Sequence, residues 1–163
     1  MTGEGDNVNE TRLLAIGKQR FSLIEVSGNG RMEEVSGTRV KITDAFVPVG
    51  THSFQVSSAT NFKVGDRIIV YRPGTENWIH DIKMDQIVER QGTRQWTARE
   101  YNLSFEREIV KVEGNRIYID NPVVMQMEEK YGGGEVFKYT FDGRISEVGV
   151  TNMCLESEFE HYE

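Results

Sequence analysis

Short runs in which apolar and polar residues alternate, each ended by a turn signal, constrain the fold of this chain more than any other feature. Such runs occur at residues 40–42, 54–56 and 117–119, and a compact β-branched run at 68–70 follows a Gly-Asp pair. Alternation with a period of two is typical of half-buried β-strands. A Gly-Asn pair at 114–115, between two such runs, predicts a hairpin. The pattern predicts an all-β fold built around a small antiparallel β-barrel or sandwich.

Three segments depart from this rhythm. Within residues 76–90, Trp78 and Ile82 recur at helical spacing, which predicts one short helix. Residues 91–104 show no period and predict an irregular loop. Three glycines at 132–134 precede a strand-like run but lack the helix and Lys-Ser/Thr pair of a phosphate-binding loop. They therefore predict a bend or a close approach between backbone segments.

The net charge excludes two classes of partner. The 163 residues carry 19 Lys and Arg against 26 Asp and Glu, for a formal charge of −7. Binding to nucleic acid depends on cations that displace condensed counterions, and adsorption to an anionic membrane depends on a similar excess of cations. The sequence also has no apolar run of the roughly 18 residues that a membrane helix needs. We therefore expect neither nucleic acid nor a membrane as a partner.

The single cysteine does not decide the compartment, and the first residues bear on export. Cys154 is the one cysteine, which excludes an internal disulfide and a cysteine-based zinc cluster. Met153 and Leu155 flank it, so we expect the thiol to pack rather than react. The first residues, MTGEGDNVNETR, lack the apolar core of a signal peptide, so no export signal is expected within this sequence.

The two ends of the chain differ in texture from its middle. At 145–157 two short alternating runs are joined by Thr151 and Asn152, and a similar pair of apolar runs spans residues 12–26. Two short strands joined by a tight polar corner are what one coil of a parallel β-helix requires. Such coils bury their inward faces only when they stack. Both ends are therefore predicted to be coils of a larger β-helix.

A family resemblance supports the same division. The segments VGTHSFQVSSATNFKVGDRIIV and VKVEGNRIYIDNPV match a small-barrel pattern found in many extracellular and phage-tail proteins. Together with WIHD, KYGGG and GRISEVGVTNMCLES, they resemble secreted bacterial right-handed parallel β-helix proteins of the pectate-lyase-like type. In that family a small β-barrel is inserted between coils of the helix. The resemblance covers nearly the whole chain.

The resemblance implies a domain plan and a location. Residues 1–34 would form partial coils and a linker, 35–143 the inserted β-barrel domain, and 144–163 a partial coil with an acidic tail. The protein would be secreted, periplasmic or on the cell surface, with the remainder of the parent β-helix as a structural partner. The chain departs from the family because it lacks the acidic and basic clusters that polysaccharide catalysis requires. Its catalytic residues are therefore left unknown.

Aromatic and polar residues gather in the helix and loop segments and predict a carbohydrate-contacting site. The C–H face of a sugar ring stacks on an aromatic ring while its hydroxyls bond polar side chains, and loops on a rigid scaffold often carry function. The competing interpretation is that the tryptophans close the mouth of the barrel, since burying a large apolar surface is the commoner use of Trp. The candidate contacts are Trp78, His80, Asp81, Trp96, Arg99 and Tyr101.

Catalytic and metal chemistry have less support. His80 and Asp81 are adjacent, and adjacent residues on a helix or strand point in different directions, so sequence alone does not make them an oriented acid–base pair. No metal site and no cofactor are predicted, because no metal-ligand spacing occurs. Calcium is retained as an alternative, with oxygen ligands drawn from Asp66, Asp81, Asp85 and Asp120.

Three hypotheses for function are open at this point. The first is an accessory module, not catalytic on its own, of a secreted polysaccharide-active β-helix protein, with a polysaccharide or oligosaccharide as its partner. The second is a purely structural or assembly β domain, of the kind found in tail and adhesin proteins. The third is a fragment of a polysaccharide lyase or glycoside hydrolase whose active site is completed elsewhere in the parent.

Overall fold

The computed structural model describes residues 12–14, 25–88 and 92–149 of the chain. The chain divides into two compact units, of which Glu33–Thr140 is one, and Met1–Met32 together with Phe141–Glu163 is the other. The unit Glu33–Thr140 overlaps the predicted inserted domain at 35–143, which stays a prediction. The predicted coils at 1–34 and 144–163 fall largely outside the described residues, as does Cys154, and they stay predictions.

The described elements are strands apart from one short α-helix and one 3₁₀ turn, at residues 129–131, and this confirms the predicted all-β class with a single short helix. In chain order they are β1 (Arg12–Leu14), β2 (Glu25–Ser27), β3 (Arg31–Glu34), β4 (Val40–Lys41), β5 (Phe46–Val47), β6 (Ser53–Gln55), β7 (Arg67–Arg72), α1 (Glu76–Asp81), β8 (Leu103–Glu113), β9 (Arg116–Ile119), β10 (Met127–Glu128), the 3₁₀ turn (Glu129–Tyr131) and β11 (Glu135–Asp142).

Seven of the described strands form one sheet that does not close into a barrel. The strand order is β3–β11–β7–β8–β9–β6, and β4 also pairs with β11. Ile42, which follows β4, and Val56, which follows β6 at one end of this path, form an isolated antiparallel bridge. Beside it, the Thr43 amide donates to the carbonyl of Gln55 over 2.9 Å. The strands at this seam are two and three residues long, so the junction is a single bridge rather than a ladder.

The buried strand β7 determines where the core lies. Side chains alternate between the two faces of a strand, so Ile68 and Val70 point to one face and Ile69 to the other. All three are almost fully buried, as expected of a central strand covered on both sides. The side of Ile68 and Val70 faces the main hydrophobic core. The buried members of that core are Ile42, Val47, Phe54, Val56, Ala59, Phe62, Ile68, Val70, Ile109, Ile117, Ile119, Val123, Met127 and Val136.

Two glycine features occur where the sequence predicts them. β8 and β9 form the expected hairpin, with Glu113 opposite Arg116 and Gly114 at a φ of 56°. At the predicted close approach, a Cβ atom built on Gly134 would lie 2.3 Å from the sulfur of Met127. Only glycine lets the backbone pass this close to the core.

The described ladder in the N-terminal part of the chain, between β1 and β2, is antiparallel. β1 pairs with β2 and places Leu13 opposite Val26. In a parallel β-helix, a strand pairs instead with the equivalent strand of the next coil, so this ladder by itself does not constitute a coil.

The predicted helix and the predicted irregular loop are both shorter than the sequence suggests. α1 covers six residues and ends at Asp81, and β8 begins at Leu103, inside the segment expected to be a loop. The charged side chains of Glu106, Arg107 and Glu108 hide the alternation of β8 from a reading of hydrophobicity. Of the described helices, none is long and apolar enough to span a membrane.

Two phenylalanines provide a matched test of the core. Phe54 is 0% exposed and Phe46 is 53% exposed, so the same substitution probes burial alone. We expect Phe54→Ala to lower the free energy of unfolding by about 3–5 kcal/mol, because it removes buried apolar area and leaves a cavity. Phe46→Ala should lower it by less than about 1 kcal/mol. Urea denaturation followed by far-UV circular dichroism measures both, and equal losses would contradict the assignment of Phe54 to the core.

Candidate functional site

The first turn of α1 is fixed by Thr75, which caps the helix. Its hydroxyl oxygen accepts a hydrogen bond from the Trp78 amide at 3.4 Å, satisfying one of the amides that a helix start leaves unpaired. The same hydroxyl donates to the carbonyl of Tyr131 at 3.0 Å. Thr75 therefore joins the start of α1 to the 3₁₀ turn and sets the direction in which Trp78 projects.

The segment between α1 and β8 is held by a side-chain amide rather than by strand pairing. The Gln95 Oε1 accepts from the Ile87 amide and its Nε2 donates to the Ile87 carbonyl, both at 2.7 Å. Next to this pair, the Trp96 amide donates to the Met84 carbonyl at 2.9 Å. These three bonds place Trp96 close to the residues that follow α1.

A second anchor surrounds Gly74. The Arg99 amide donates to the Gly74 carbonyl at 2.9 Å, and the Gly74 amide donates to the Asn102 Oδ1 at 3.0 Å. The Asn102 amide group in turn donates to the Arg99 carbonyl at 2.5 Å. A Cβ atom on Gly74 would lie 2.9 Å from the Tyr101 carbonyl oxygen, so this contact requires glycine. The result is a hydrogen-bonded junction between the end of β7 and the start of β8.

The backbone of Arg99 is strained at its position in this junction. Its φ of 69° lies in the left-handed region, which costs a residue other than glycine roughly 1–3 kcal/mol. The bonds to Gly74 and Asn102 hold it there. Strained backbone of this kind gathers at functional sites, where the surrounding structure fixes it.

Three of the predicted residues form an aromatic cluster, which we define as Trp78, Trp96 and Tyr101. The Trp96 and Tyr101 rings are stacked, with centroids 3.8 Å apart and planes 14° from parallel. Trp78 meets Trp96 at 6.0 Å and 44°. All three side chains are half-buried, so the cluster is partly exposed to solvent. On the core side, the guanidinium carbon of Arg72 lies 4.5 Å from the centroid of Trp78.

Beside the cluster lies a cleft of 470 Å³, between the first turn of α1 and the residues that follow Trp96. Its exposed polar side chains are those of Glu76, Asn77 and Arg99, and Thr75 adds a half-buried hydroxyl. Within the described residues neither Glu76 nor Arg99 forms an ion pair, so both charges are available to a ligand. The full lining is Pro73, Gly74, Thr75, Glu76, Asn77, Ala98 and Arg99.

Four of the six predicted site residues lie together in the structure. The other two bond to different residues. Trp78, Trp96 and Tyr101 form the cluster, and Arg99 lines the cleft. His80 instead contacts Asp85, with 2.8 Å between Nδ1 and Oδ2, and Asp81 accepts a hydrogen bond from the Tyr131 hydroxyl at 2.6 Å. His80 and Asp81 are engaged separately, as adjacent positions on a helix predict.

The contact between His80 and Asp85 shifts both titrations. The hydrogen bond and charge of Asp85 raise the pKa of His80 above its ordinary value, and the hydrogen bond from His80 lowers the pKa of Asp85. Both side chains are at the surface. The pair is thus a local surface contact of the segment after α1, separate from the cleft.

The four aspartates considered for calcium each have another role. Asp81 and Asp85 bond Tyr131 and His80, as described above. Asp66 accepts from the Lys63 amide at 2.9 Å, and Asp120 accepts from the Glu108 amide at 2.9 Å. Across the described residues, no three His, Cys, Asp or Glu side chains are grouped so as to hold a metal ion.

Three residues that contact the site or its supporting segment were not singled out from the sequence. Arg72 ends a buried strand, where its inward direction follows from alternation with Ile68 and Val70. Gln95 and Asn102 are amides within an aperiodic segment, and such side chains often replace missing backbone partners in loops. The Arg72 position was available from the strand period, whereas the partners of the two amides depend on the tertiary fold.

The contact between His80 and Asp85 generates a pH prediction. Because the pKa of His80 is raised on folding, its contribution to stability is present below the unfolded-state pKa of about 6.5 and is lost as pH rises through the folded value. Because the pKa of Asp85 is lowered, its contribution is lost as pH falls below the unfolded-state value of about 3.9. We expect Asp85→Asn to lower the pKa of His80, as measured by NMR titration of the imidazole Cε1 proton.

Asp81→Asn is the matched control for this prediction. Asp81 lies next to His80 in the chain, but its carboxylate accepts from Tyr131. Its charge raises the pKa of His80 less than Asp85 does. We expect it to shift the His80 titration less than Asp85→Asn does. Equal shifts from the two variants would show that general surface charge, rather than the Asp85 contact, sets the titration.

Comparisons with known proteins give limited likenesses. No protein-family model and no curated protein matches the chain. Among solved structures, the Gp54 tailspike of Acinetobacter baumannii bacteriophage AP22, determined in complex with A. baumannii capsular saccharide, aligns with a TM-score of 0.44 and 13% identity over 68% of this chain and 15% of that one. The tailspike gp61 of Pseudomonas phage phi297 aligns with a TM-score of 0.41 and 15% identity, over 66% of this chain and 14% of that one.

A third tailspike, gp49 of Pseudomonas phage LKA1, gives a TM-score of 0.40 and 16% identity, over 67% of this chain and 14% of that one. The chain thus spans about one seventh of the length of each of these proteins. TM-scores below 0.5 do not establish a shared fold, so the three likenesses assign no function to this chain.

Proposed function

We propose that the cleft and the aromatic cluster form a carbohydrate-binding surface, and that the chain is an accessory module of a larger, secreted, polysaccharide-active β-helix protein. The observation that carries the proposal is the placement of three half-buried aromatic rings beside an open cleft lined by the exposed polar side chains of Glu76, Asn77 and Arg99. A binding site of this kind combines apolar surface with a few convergent polar groups.

The polar lining suits the hydroxyl groups of a sugar. A sugar hydroxyl both donates and accepts, and the lining supplies both functions: Glu76 accepts, Arg99 donates and the Asn77 amide does both. The neighbouring rings offer apolar faces and edges to the C–H groups of the pyranose. Polar side chains and aromatic rings together meet the two kinds of surface that an oligosaccharide presents.

The anchors around the site reduce the cost of binding. Asn102 bonds backbone groups on both sides of the cleft, and Gln95 bonds both backbone groups of Ile87, so the segment that carries Trp96, Arg99 and Tyr101 is ordered before a ligand arrives. Ordering a loop on binding consumes part of the interaction free energy, and a site that is already ordered retains it. This favours a site for binding over a segment that merely connects α1 to β8.

The lining also supports an accessory rather than a catalytic role. Glycoside hydrolysis uses a pair of carboxyl groups placed on the two sides of the scissile bond. Among the lining residues of the cleft, Glu76 is the one carboxylate. A hydrolase built on this cleft would need a second carboxyl group from another part of the parent protein.

One observation favours a structural role as a second candidate. Tyr101 covers one face of Trp96, and the guanidinium of Arg72 lies over Trp78. Part of the aromatic surface is therefore already buried by contacts within the protein. In that case the cluster fastens the segment after α1 to the sheet, and the chain serves as a structural or assembly domain. The two functions differ in whether the remaining exposed surface takes a ligand.

A glycan panel tests the proposal. We expect one or more acidic or neutral oligosaccharides to change the tryptophan emission of the wild-type protein and to give a measurable heat in titration calorimetry. Trp96→Ala should weaken the affinity by about three- to tenfold, which is ~0.7–1.4 kcal/mol and lies within the ~0.5–1.5 kcal/mol of one aromatic contact. Calorimetry is the measurement for the variants, because each substitution also removes a fluorophore.

Tyr118→Ala is the matched control. Tyr118 is a half-buried aromatic residue on β9, where its hydroxyl donates to Glu113 rather than to the cluster. It should leave saccharide affinity unchanged. The carbohydrate function fails if no member of a broad panel binds, or if Tyr118→Ala weakens binding as much as Trp96→Ala does. The first of these results, together with a lower unfolding midpoint for Trp96→Ala, would establish the structural role.

A further inference from the structure

Arg72 is a buried cation at the end of the hydrophobic core. It is the last residue of β7, and strand alternation directs its side chain to the same face as Ile68 and Val70. Its side chain lies over Trp78, and the residue is 5% exposed. Arginine is rarely buried to this degree unless it is paired with an acidic group.

The hydrogen bonding of this guanidinium is incomplete. Nε donates to the carbonyl of Gln126 at 3.2 Å, and Nη1 has no hydrogen-bond acceptor among the described residues. Burial lowers the pKa of Arg72, and the charge of Glu128 partly opposes that effect. No ion pair joins Arg72 to Glu128 within the described residues. A buried charge with an unpaired N–H group lowers the stability of a fold unless another contact compensates for it.

The contact that remains is with the indole. The guanidinium carbon is 4.5 Å from the centroid of the Trp78 ring, within the range of a cation–π interaction, and exclusion of water strengthens that attraction. Arginine suits this position because its planar group stacks on an aromatic face, whereas a lysine ammonium is a compact point charge. Trp78 in turn meets Trp96, which is stacked on Tyr101.

We propose that Arg72 is a positioning residue: it fixes the ring orientation of Trp78, and through Trp78 that of the whole aromatic cluster, instead of stabilising the β-sheet. Nε makes one hydrogen bond and Nη1 has no acceptor among the described residues, so the buried charge is incompletely compensated, which argues against a net stabilising role. The consequence for ligand binding rests on the carbohydrate function proposed above. The orientation of the rings, by contrast, is a property of the protein without ligand and is tested without one.

Arg107 provides a matched control, because it has a bonding role without a contact to the cluster. Its guanidinium lies 5.8 Å from the Phe105 ring and donates to the backbone carbonyls of Asn121, Pro122 and Glu106. Both arginines therefore tie a strand of the sheet to the segment that follows β9. They differ in whether the aromatic partner belongs to the cluster.

The test compares Arg72→Met, Arg72→Lys and Arg107→Met by near-UV circular dichroism and by urea denaturation, both without ligand. We expect Arg72→Met to lose at least half of the tryptophan near-UV signal while its unfolding midpoint stays equal to or above that of the wild type. The substitution removes a buried charge and an N–H group without an acceptor among the described residues, which offsets the loss of the one bond to the Gln126 carbonyl. Arg72→Lys should restore part of the signal, and Arg107→Met should keep the signal and lower the midpoint.

Two results would overturn the positioning role. One is an Arg72→Met protein that is unfolded or has a lower midpoint with the tryptophan signal intact in its folded fraction, because this describes a stabilising residue. The other is an Arg107→Met variant that changes the tryptophan signal as much as Arg72→Met does. For a saccharide that binds the wild type, Arg72→Met should weaken affinity several-fold. If no saccharide binds, the carbohydrate function fails while the ligand-free spectra still decide the role of Arg72.

Discussion

The double burial of β7 is the constraint on which the rest of this structure depends. Ile68 and Val70 face the main core, Ile69 is buried on the opposite face, and the strand pairs with β8 on one side and β11 on the other. A strand in this position tolerates neither a shift of register nor a polar inward residue without cost, because a shift by one residue would exchange its two faces. Its ends are therefore fixed points, and Arg72, Pro73 and Gly74 lead directly from one of them into the cleft.

From that fixed end, the site is assembled by side chains that substitute for strand partners. Gln95 pairs with both backbone groups of Ile87, and Asn102 joins Gly74 to Arg99. Each amide uses a donor and an acceptor at once, which gives a connecting segment the kind of pairing that a β-ladder gives a strand. The segment can therefore carry aromatic side chains in defined places without belonging to the sheet.

The sequence predicted the parts of the fold that follow from local pattern. Alternation and turn residues are enough to locate the β8–β9 hairpin and the class of the fold, and helical spacing is enough to place one short helix near Trp78. The start of β8 was missed because Glu106, Arg107 and Glu108 mask its period. The single bridge between Ile42 and Val56 was not predictable either, since it depends on how the ends of two very short strands meet in three dimensions.

The candidate site divides along the same line. Residue type alone drew attention to Trp78, Trp96, Arg99 and Tyr101, because aromatic rings beside polar side chains suit the C–H faces and hydroxyls of sugars. The same reasoning included His80 and Asp81, which the structure gives to Asp85 and Tyr131. Which polar neighbour a side chain finds depends on the fold around it. Sequence reasoning can therefore nominate residues for a site more reliably than it can pair them.

Several local costs of this structure lie around the cleft. Arg99 holds a left-handed backbone conformation, Gly74 sits where any side chain would collide with Tyr101, and Arg72 has a buried N–H group with no acceptor among the described residues. Natural proteins depart from locally favourable choices mainly where function requires it, and the remainder of the fold compensates. Here the compensation comes from β7 and β8, whose paired backbones and buried side chains hold both edges of the junction. These three departures meet in one junction, so the pairing of β7 with β8 helps to hold the residues that line the cleft.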